Sequence, residues 1–536
     1  MKNLKKKLLT GFAATCALAF AFGLSACEFP TDDPAENGDL ADFTYELVGD
    51  SYTILGRGTD DSGILEFPSE YNGKPVTAIA AGAFSGDDEL GIAIIPDSIT
   101  SIGENAFYNC VNMQEVTIGD GVTVIPSGAF MNYIFLNSID LPSGLVSIGE
   151  GAFQKCSKLR KIEFPDTVKT IGKRAFYNCT WLKTVDFSTS LESIGIEAFA
   201  NCVAIEAVVI PDGAPTQIAE RAFAVVDDPT GDLKMKNRRI ELGNGVLSVG
   251  SRAFEGHTYV RRLVFGDSLQ NLAVNAFYKC TRVFSITVGK KAPICAVSGE
   301  EGPFTGCNRI REVIDGSGTL QLGSTGLGGI LADVWSVKKP TEQSSISIDE
   351  TSHLVYYTGT NPYGLGGVSV IASLLDELTE AQDVVIPDTY QGQPVTTIAK
   401  EAFYNDLGVK SLDTGANCQY IGYSAFRNAY ALLSLKLGAK VKTIADYAFL
   451  NTNGLSKVYF NCGTNLTSVG TKAFYKKRGH DGVELAGVPY ADVYFNGTEA
   501  QFNTVKTVIL GANNQNLNED LFTTKVRFHY NWNGVM

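Results

Sequence analysis

The chain has 536 residues, more than one hydrophobic core ordinarily serves, so several domains or a stacked repeat array are expected. Its hydrophobic fraction of 44% excludes a wholly disordered chain. A formal net charge of -14, from 58 acidic against 44 basic residues, argues against a nucleic-acid partner, because phosphate binding requires a basic face.

Residues 1–27 read as a targeting segment. Lys2, Lys5, Lys6 and Lys7 precede an apolar run from Leu8 to Leu24. The run ends in Leu24-Ser25-Ala26-Cys27, which resembles the lipobox of bacterial lipoproteins. That resemblance implies that Cys27 receives a diacylglycerol and becomes the mature N-terminus. The alternative is an ordinary secretory signal with an incidental cysteine. Residues 28–41 are polar and acidic with Pro30 and Pro34, as a flexible tether is. No later stretch approaches the ~20 apolar residues needed to cross a bilayer, so the lipid is the expected membrane contact and the location extracytoplasmic.

From there an Ala-Phe pair recurs, with its Phe at 84, 107, 130, 153, 176 and 199, each interval 23 residues. The pair returns at Phe223, Phe254 and Phe277, degrades to Pro303-Phe304, and resumes at Phe403, Phe426, Phe449 and Phe474. Other apolar positions keep the same phase, as in Leu159-x-x-Ile162-x-Phe164-Pro165, Val168, Ile171-Gly172 and Ala175-Phe176. The L-x-x-I-x-F segment alternates with the period of a strand, so Ile162 and Phe164 point inward while Lys161, Glu163 and Pro165 point out. One short parallel strand per coil of about 23 residues predicts a mainly β repeat solenoid. The stretch from Pro165 to Phe176 has few anchors and no helical period, which predicts an irregular or short helical return.

Two similar starts are visible. Ile64-Leu65-Glu66-Phe67-Pro68 leads to Tyr71-Asn72-Gly73-Lys74-Pro75-Val76, and Val384-Val385-Ile386-Pro387 leads to Tyr390-Gln391-Gly392-Gln393-Pro394-Val395. They divide the chain into a first array over 42–315, a Gly-rich linker or irregular cap over 316–345, and a second array with a C-terminal cap over 346–536. One continuous solenoid with a long insertion is the alternative.

The unit Pro-x-x-(Val/Leu)-x-x-Ile-Gly-x-x-Ala-Phe-x-x-Cys resembles the BspA-type leucine-rich repeats of bacterial surface proteins, over most of residues 64 to 310 and 384 to 476. Asp492 to Phe502, with His529-Tyr530-Asn531, is similar to a segment that closes such arrays. The resemblance implies a surface protein, with several family members adhesins, and hence protein binding or adhesion to host or neighbouring cells. A carbohydrate-binding or envelope-organising module is the alternative, and a passive spacer a third reading.

Candidate chemistry is sparse. Without Cys16 and Cys27, 11 - 2 = 9 cysteines remain, and Cys110, Cys156, Cys179, Cys202, Cys280 and Cys307 each follow their coil's Phe by three residues. Such a column is expected to stack as buried thiols, since parallel side chains in adjacent coils pack as small hydrophobes; disulfides are the alternative. Asn109, Asn178 and Asn201 are expected to bond turn backbone. His257, His353, His480 and His529 show no metal-ligand spacing, and no nucleophile elbow occurs, so neither an enzyme, a metal nor a cofactor is expected. Gly326-Leu327-Gly328-Gly329 and Gly364-Leu365-Gly366-Gly367 lack the Lys of a phosphate loop and read as turns. Asp60-Asp61 and Asp227-Asp228 read as solvated loop pairs.

The outward strand face is the candidate binding surface. Its stripe runs Thr117, Asp140, Glu163, Asp186 and Val209, with Glu115, Ser138, Lys161 and Thr184 two positions earlier. Acidic in its middle, this stripe suits a basic patch on a protein ligand, although a soluble sheet surface needs the same charges.

Overall fold

The computed structural model describes residues 43–59, 63–226, 237–320, 334–375, 380–476, 492–511, 518, 521 and 526–532. The targeting segment with Cys27, the tether, Asp60-Asp61, Asp227-Asp228, Gly326 to Gly329 and His480 lie outside them. Within them the chain winds as a mainly β solenoid with turns roughly 24 residues apart.

One coil shows the rule. The strand Lys161–Glu163 buries Ile162 and exposes its two flanking side chains, then Phe164 and Val168 turn inward. It pairs in parallel with Thr184–Asp186 in the register Ile162↔Val185. A second strand follows at Thr170–Ile171, between Ser147–Ile148 and Ser193–Ile194 of the adjacent coils. Where the return was expected to be irregular or briefly helical, it therefore carries a strand of two residues, and eight strands of two to four residues at this corner form one parallel sheet. Two residues are too few to show a period in sequence. What creates the strand is the neighbour: buried backbone groups at this corner must be paired, and the same corner of the next coil is where partners are found.

The Ala-Phe turn is laddered in the same way. Phe153 N–H donates to Ala175 O at 2.8 Å and Phe176 N–H to Ala198 O at 2.7 Å. In most turns two residues take positive φ, two before and two after the Phe, as in Arg174 (52°) and Asn178 (62°) around Phe176; the Phe223 and Phe474 turns keep only the earlier and the Phe304 turn only the later. The later site is mostly Gly or Asn, as at Gly86, Asn109, Asn178 and Gly256, the residue types for which the left-handed conformation costs least, with Lys155 and Lys279 as the exceptions. The asparagine amides do not serve the turn as expected. Asn132 donates to Asn109 Oδ1 at 3.3 Å and Asn201 to Asn178 Oδ1 at 2.9 Å, and Asn201 alone of the three named takes a backbone N–H, from Val226. The ladder recurs at Asn405, Asn428 and Asn451.

Inside, the phenylalanines stack. From Phe84 to Phe304 successive ring centroids lie 5.1 to 5.6 Å apart, and from Phe403 to Phe474 4.5 to 5.2 Å. Antiparallel strands open two stretches of the solenoid. Phe43–Val48 pairs with Ser51–Arg57, which runs parallel to Lys74–Ile79. Likewise Leu354–Tyr357 pairs with Val368–Ser373, which runs parallel to Gln393–Ile398. The buried side chains form one apolar cluster from Phe43 to Val334 and another from Leu354 to Val526. A small cluster including Phe284, Tyr357 and Leu374 joins them, and Arg309 and Arg311 donate to the carbonyls of Glu401, Tyr404 and Lys400. At the far end the helix Glu499–Leu510, capped by Thr498 and Gln501, lays Phe502, Val505 and Ile509 on the second cluster.

Phe176 is fully buried between Phe153 and Phe199, so Phe176→Ala empties a site that both neighbours share. The expected cost is about 3–5 kcal/mol in equilibrium urea unfolding. A loss under about 1 kcal/mol would show that the ring ladder is not what couples the coils.

Candidate functional site

The strand face is built by in-register stacking, so residues far apart in sequence become lateral neighbours. Ile94 pairs with Thr117, Thr117 bridges to Asp140, and Glu163 pairs with Asp186. Two positions earlier Lys161 pairs with Thr184. Glu115, Ser138, Asp140, Lys161, Glu163, Thr184, Asp186 and Val209 are exposed and Thr117 is half-buried. The stripe is less uniformly acidic than its sequence suggests. The Lys161 ammonium contacts the Glu163 carboxylate and lies 3.8 Å from Asp186. The hydrogen bond that Lys161 donates to Glu163 raises the Lys161 pKa above its ordinary range. All three side chains are solvated, so these pairs contribute little to stability and leave the charges available.

Beyond Val209 the face continues: Val209 pairs with Glu241, and Glu241 with Val264. Arg239 contacts Glu241, and Arg262 lies beside Arg239 in the next coil. These residues were missing from the predicted stripe because an insertion breaks the 23-residue phase, although Arg239-Ile240-Glu241-Leu242 keeps the strand alternation.

On the rim next to this face, five residues beyond their coils' phenylalanines, Phe135 and Trp181 are exposed, with Lys158 in the coil between them. The Lys158 ammonium lies 4.7 Å from the Phe135 ring centroid, and the Arg160 guanidinium 5.6 Å from that of Trp181. The available signal was a column whose other members are mostly polar or charged, interrupted by three aromatic residues, Phe135, Trp181 and Tyr259.

Part of the acidity has structural work. Asp97, Asp120, Asp166, Asp212 and Asp267 each accept a backbone N–H from the following coil, at 2.7 to 3.2 Å. The Ser143 N–H holds the Asp120 carboxyl below its usual range, and Lys290 does so for Asp267.

The cysteine column consists of free thiols. Cys110, Cys156, Cys179, Cys202, Cys280 and Cys307 donate to the carbonyls of Phe84, Phe130, Phe153, Phe176, Phe254 and Phe277, the Phe one coil earlier, at 3.1 to 3.3 Å. Burial pushes the Cys110 and Cys156 thiols up to about 12, the opposite of what a nucleophile or metal ligand requires. His257 occupies the same column, and its Nε2 donates to Phe223 O at 2.8 Å. Among the described residues no three His, Cys, Asp or Glu side chains gather as a metal site, and no helix is long and apolar enough to cross a membrane. Gly364 and Gly367 occupy a turn with positive φ.

Parallel coils, a strand face and an internal ring ladder define a leucine-rich-repeat solenoid. The sequence matches the BspA type leucine rich repeat region, in six copies, over residues 71–159, 146–228, 233–324 and 376–487. The chain belongs to this BspA-type leucine-rich-repeat family. Among solved structures it is similar to a leucine-rich repeat protein from Bacteroides ovatus, with 20% identity over 92% of this chain and 100% of the other and a TM-score of 0.42. It is also similar to a leucine rich cell surface protein from Faecalibacterium prausnitzii, at 19% identity over 88% and 97% with a TM-score of 0.30. The T. pallidum leucine-rich repeat protein is 26% identical over 34% of this chain and 86% of its own, with a TM-score of 0.32. No curated protein matches. The fold is that of a protein-interaction scaffold, a class typically without enzymatic activity.

His257 gives the column a pH signature. Desolvation lowers its pKa to about 4, against the bond to Phe223 O, which raises it. From pH 6.5 down to 4 the unfolded chain takes up a proton that the folded chain refuses. Stability present at neutral pH therefore falls as pH drops through this window, by about 3 kcal/mol in full. His257→Cys, which installs the residue used elsewhere in the column, is expected to flatten that part of the stability-pH curve from urea unfolding. An unchanged slope would assign it to other groups.

Proposed function

We propose that this chain is an extracytoplasmic lipoprotein, held to the membrane through Cys27, that binds a protein ligand on the strand face of an array spanning residues 42–315, with the array over 346–536 behind the junction at 316–345. The observation that carries the reading is the lateral run of outward-facing, register-locked side chains, Thr117 beside Asp140 and Glu163 beside Asp186. Solenoids gather such columns into surfaces long enough for a protein footprint. The central carboxylates call for a basic patch on the partner, and an adhesive role toward a host or neighbouring cell is the finer form of the proposal.

The test uses the full-length chain carrying Cys27→Ser, presented to a panel of matrix proteins and whole cells at two salt concentrations. Saturable binding that weakens with salt is expected. Combined Asp140→Lys, Glu163→Lys and Asp186→Lys should weaken it at least about tenfold, mostly through slower association; unchanged affinity would remove the acidic stripe from the interface.

The anchor has its own test. Wild-type chain is expected in the detergent phase of a temperature-induced Triton partition, and the Cys27→Ser chain in the aqueous phase. A variant that stays with the detergent phase would overturn lipidation at Cys27.

A further inference from the structure

We propose that the rim formed by Phe135, Lys158, Arg160 and Trp181 is a second binding site, for an anionic polysaccharide carrying carboxylate or sulfate groups. It is separate from the acidic stripe and takes a ligand of opposite charge.

Three observations meet there. First, Trp181 is 51% exposed and Phe135 38% exposed, although both belong to coils whose other large apolar side chains are mostly buried. Second, the coil between them presents two cations, one over each ring: Lys158 at 4.7 Å from Phe135 and Arg160 at 5.6 Å from Trp181. Third, neither cation has a carboxylate partner among the described residues, whereas neighbouring Lys161 and Lys183 are engaged by Glu163 and Glu206. A cation on an aromatic face, without a counter-ion of its own, is a place where an anion adds charge complementarity and an apolar surface adds contact.

The geometry favours a sugar chain over an acidic protein. Phe135 and Trp181 are two coils apart, about 10 Å at the spacing of paired strands, the length scale of a disaccharide. Aromatic side chains offer pyranose C–H faces a stacking surface without a deep pocket, and this rim is open. A protein footprint covers roughly 800 Å² on each partner. It would extend from the rim onto Asp140, Glu163 and Asp186, where an acidic protein meets like charge. A single anionic chain is narrow enough to follow the rim along the solenoid axis and leave the stripe uncovered. Lys158 and Arg160 would meet the acidic groups on successive sugars, and Trp181 would carry the stacking.

The experiment is isothermal titration of the full-length Cys27→Ser chain with four probes at low and physiological salt: oligogalacturonate, chondroitin sulfate oligosaccharide, neutral dextran oligosaccharide and polyglutamate. Binding of at least one acidic oligosaccharide, at least about tenfold tighter than dextran and polyglutamate, is expected. Lys158→Gln combined with Arg160→Gln should reduce that affinity about tenfold or more, as should Trp181→Ala, while Trp181→Phe retains most of it. These side chains are exposed, so the melting temperature should hold within a few degrees, and far-UV circular dichroism checks the fold. Neutralising the stripe with Asp140→Asn, Glu163→Gln and Asp186→Asn should leave or strengthen sugar binding while weakening a protein ligand, which separates failure of this site from failure of the stripe. The proposal is overturned if no acidic oligosaccharide binds, if polyglutamate binds as tightly, or if the rim variants bind the sugar as wild type does.

Discussion

A coil of 23 residues cannot close a core around itself, because its few apolar anchors return less than the ordering of its backbone costs. What makes it stable is the next coil. The phenylalanine stack and the backbone bonds at three corners all run between coils, so each repeat is half of two interfaces. Near Gly195 the approach is close enough that a Cβ would lie 2.6 Å from the backbone of Gly172. The following coil carries Ala219 at that position, so the corner adjusts to a methyl group, but the neighbouring chain leaves little room for more.

The same dependence explains the ends. A first coil has no predecessor to bond, and the column three residues after its Phe changes chemistry there. Cys110 and the later thiols find a phenylalanine carbonyl one coil back. Asp87, in the Phe84 coil, instead takes Arg57 of the antiparallel cap at 2.7 Å and the N–H groups of Glu89 and Leu90. Asp406 stands at the matching place in the Phe403 coil and accepts the Gly408 N–H. An acid that satisfies its own turn thus stands where a thiol would lack a carbonyl to meet. At the opposite end of the second cluster, the amphipathic helix supplies the apolar surface that a further coil would otherwise provide.

How far this was legible follows from which interactions leave a periodic trace. Phe176, Ile162 and the outward Lys161 and Glu163 repeat in phase, and their positions in the structure are those that alternation assigns. Asn178 was visible as a column member, but its amide ladder and left-handed backbone depend on the neighbouring coil. The Thr170–Ile171 strand was hidden because two residues carry no period. Arg239 and Glu241 escaped the predicted stripe because an insertion shifts the phase. Trp181 and Phe135 escaped for a different reason: sequence marks an aromatic residue as a core candidate, and only packing shows that these two are left outside.

The division between inward and outward positions also bears on what such a surface can recognise. Inward residues answer to two neighbours at once, so their identities are tightly coupled. Outward residues on the strand face and rim touch mainly other exposed side chains, as Lys161 does Glu163, and single exposed substitutions there usually change stability by less than about 0.5 kcal/mol. Recognition can therefore be laid down column by column with little effect on folding. Asp140 lies on the strand face while Arg160 lies on the adjoining rim one coil later, and the rigid stack holds charges of opposite sign side by side. Two flexible loops carrying those charges would be drawn together and neutralise one another. Held apart on separate tracks, each remains available to a ligand narrow enough, or shaped well enough, to engage it alone.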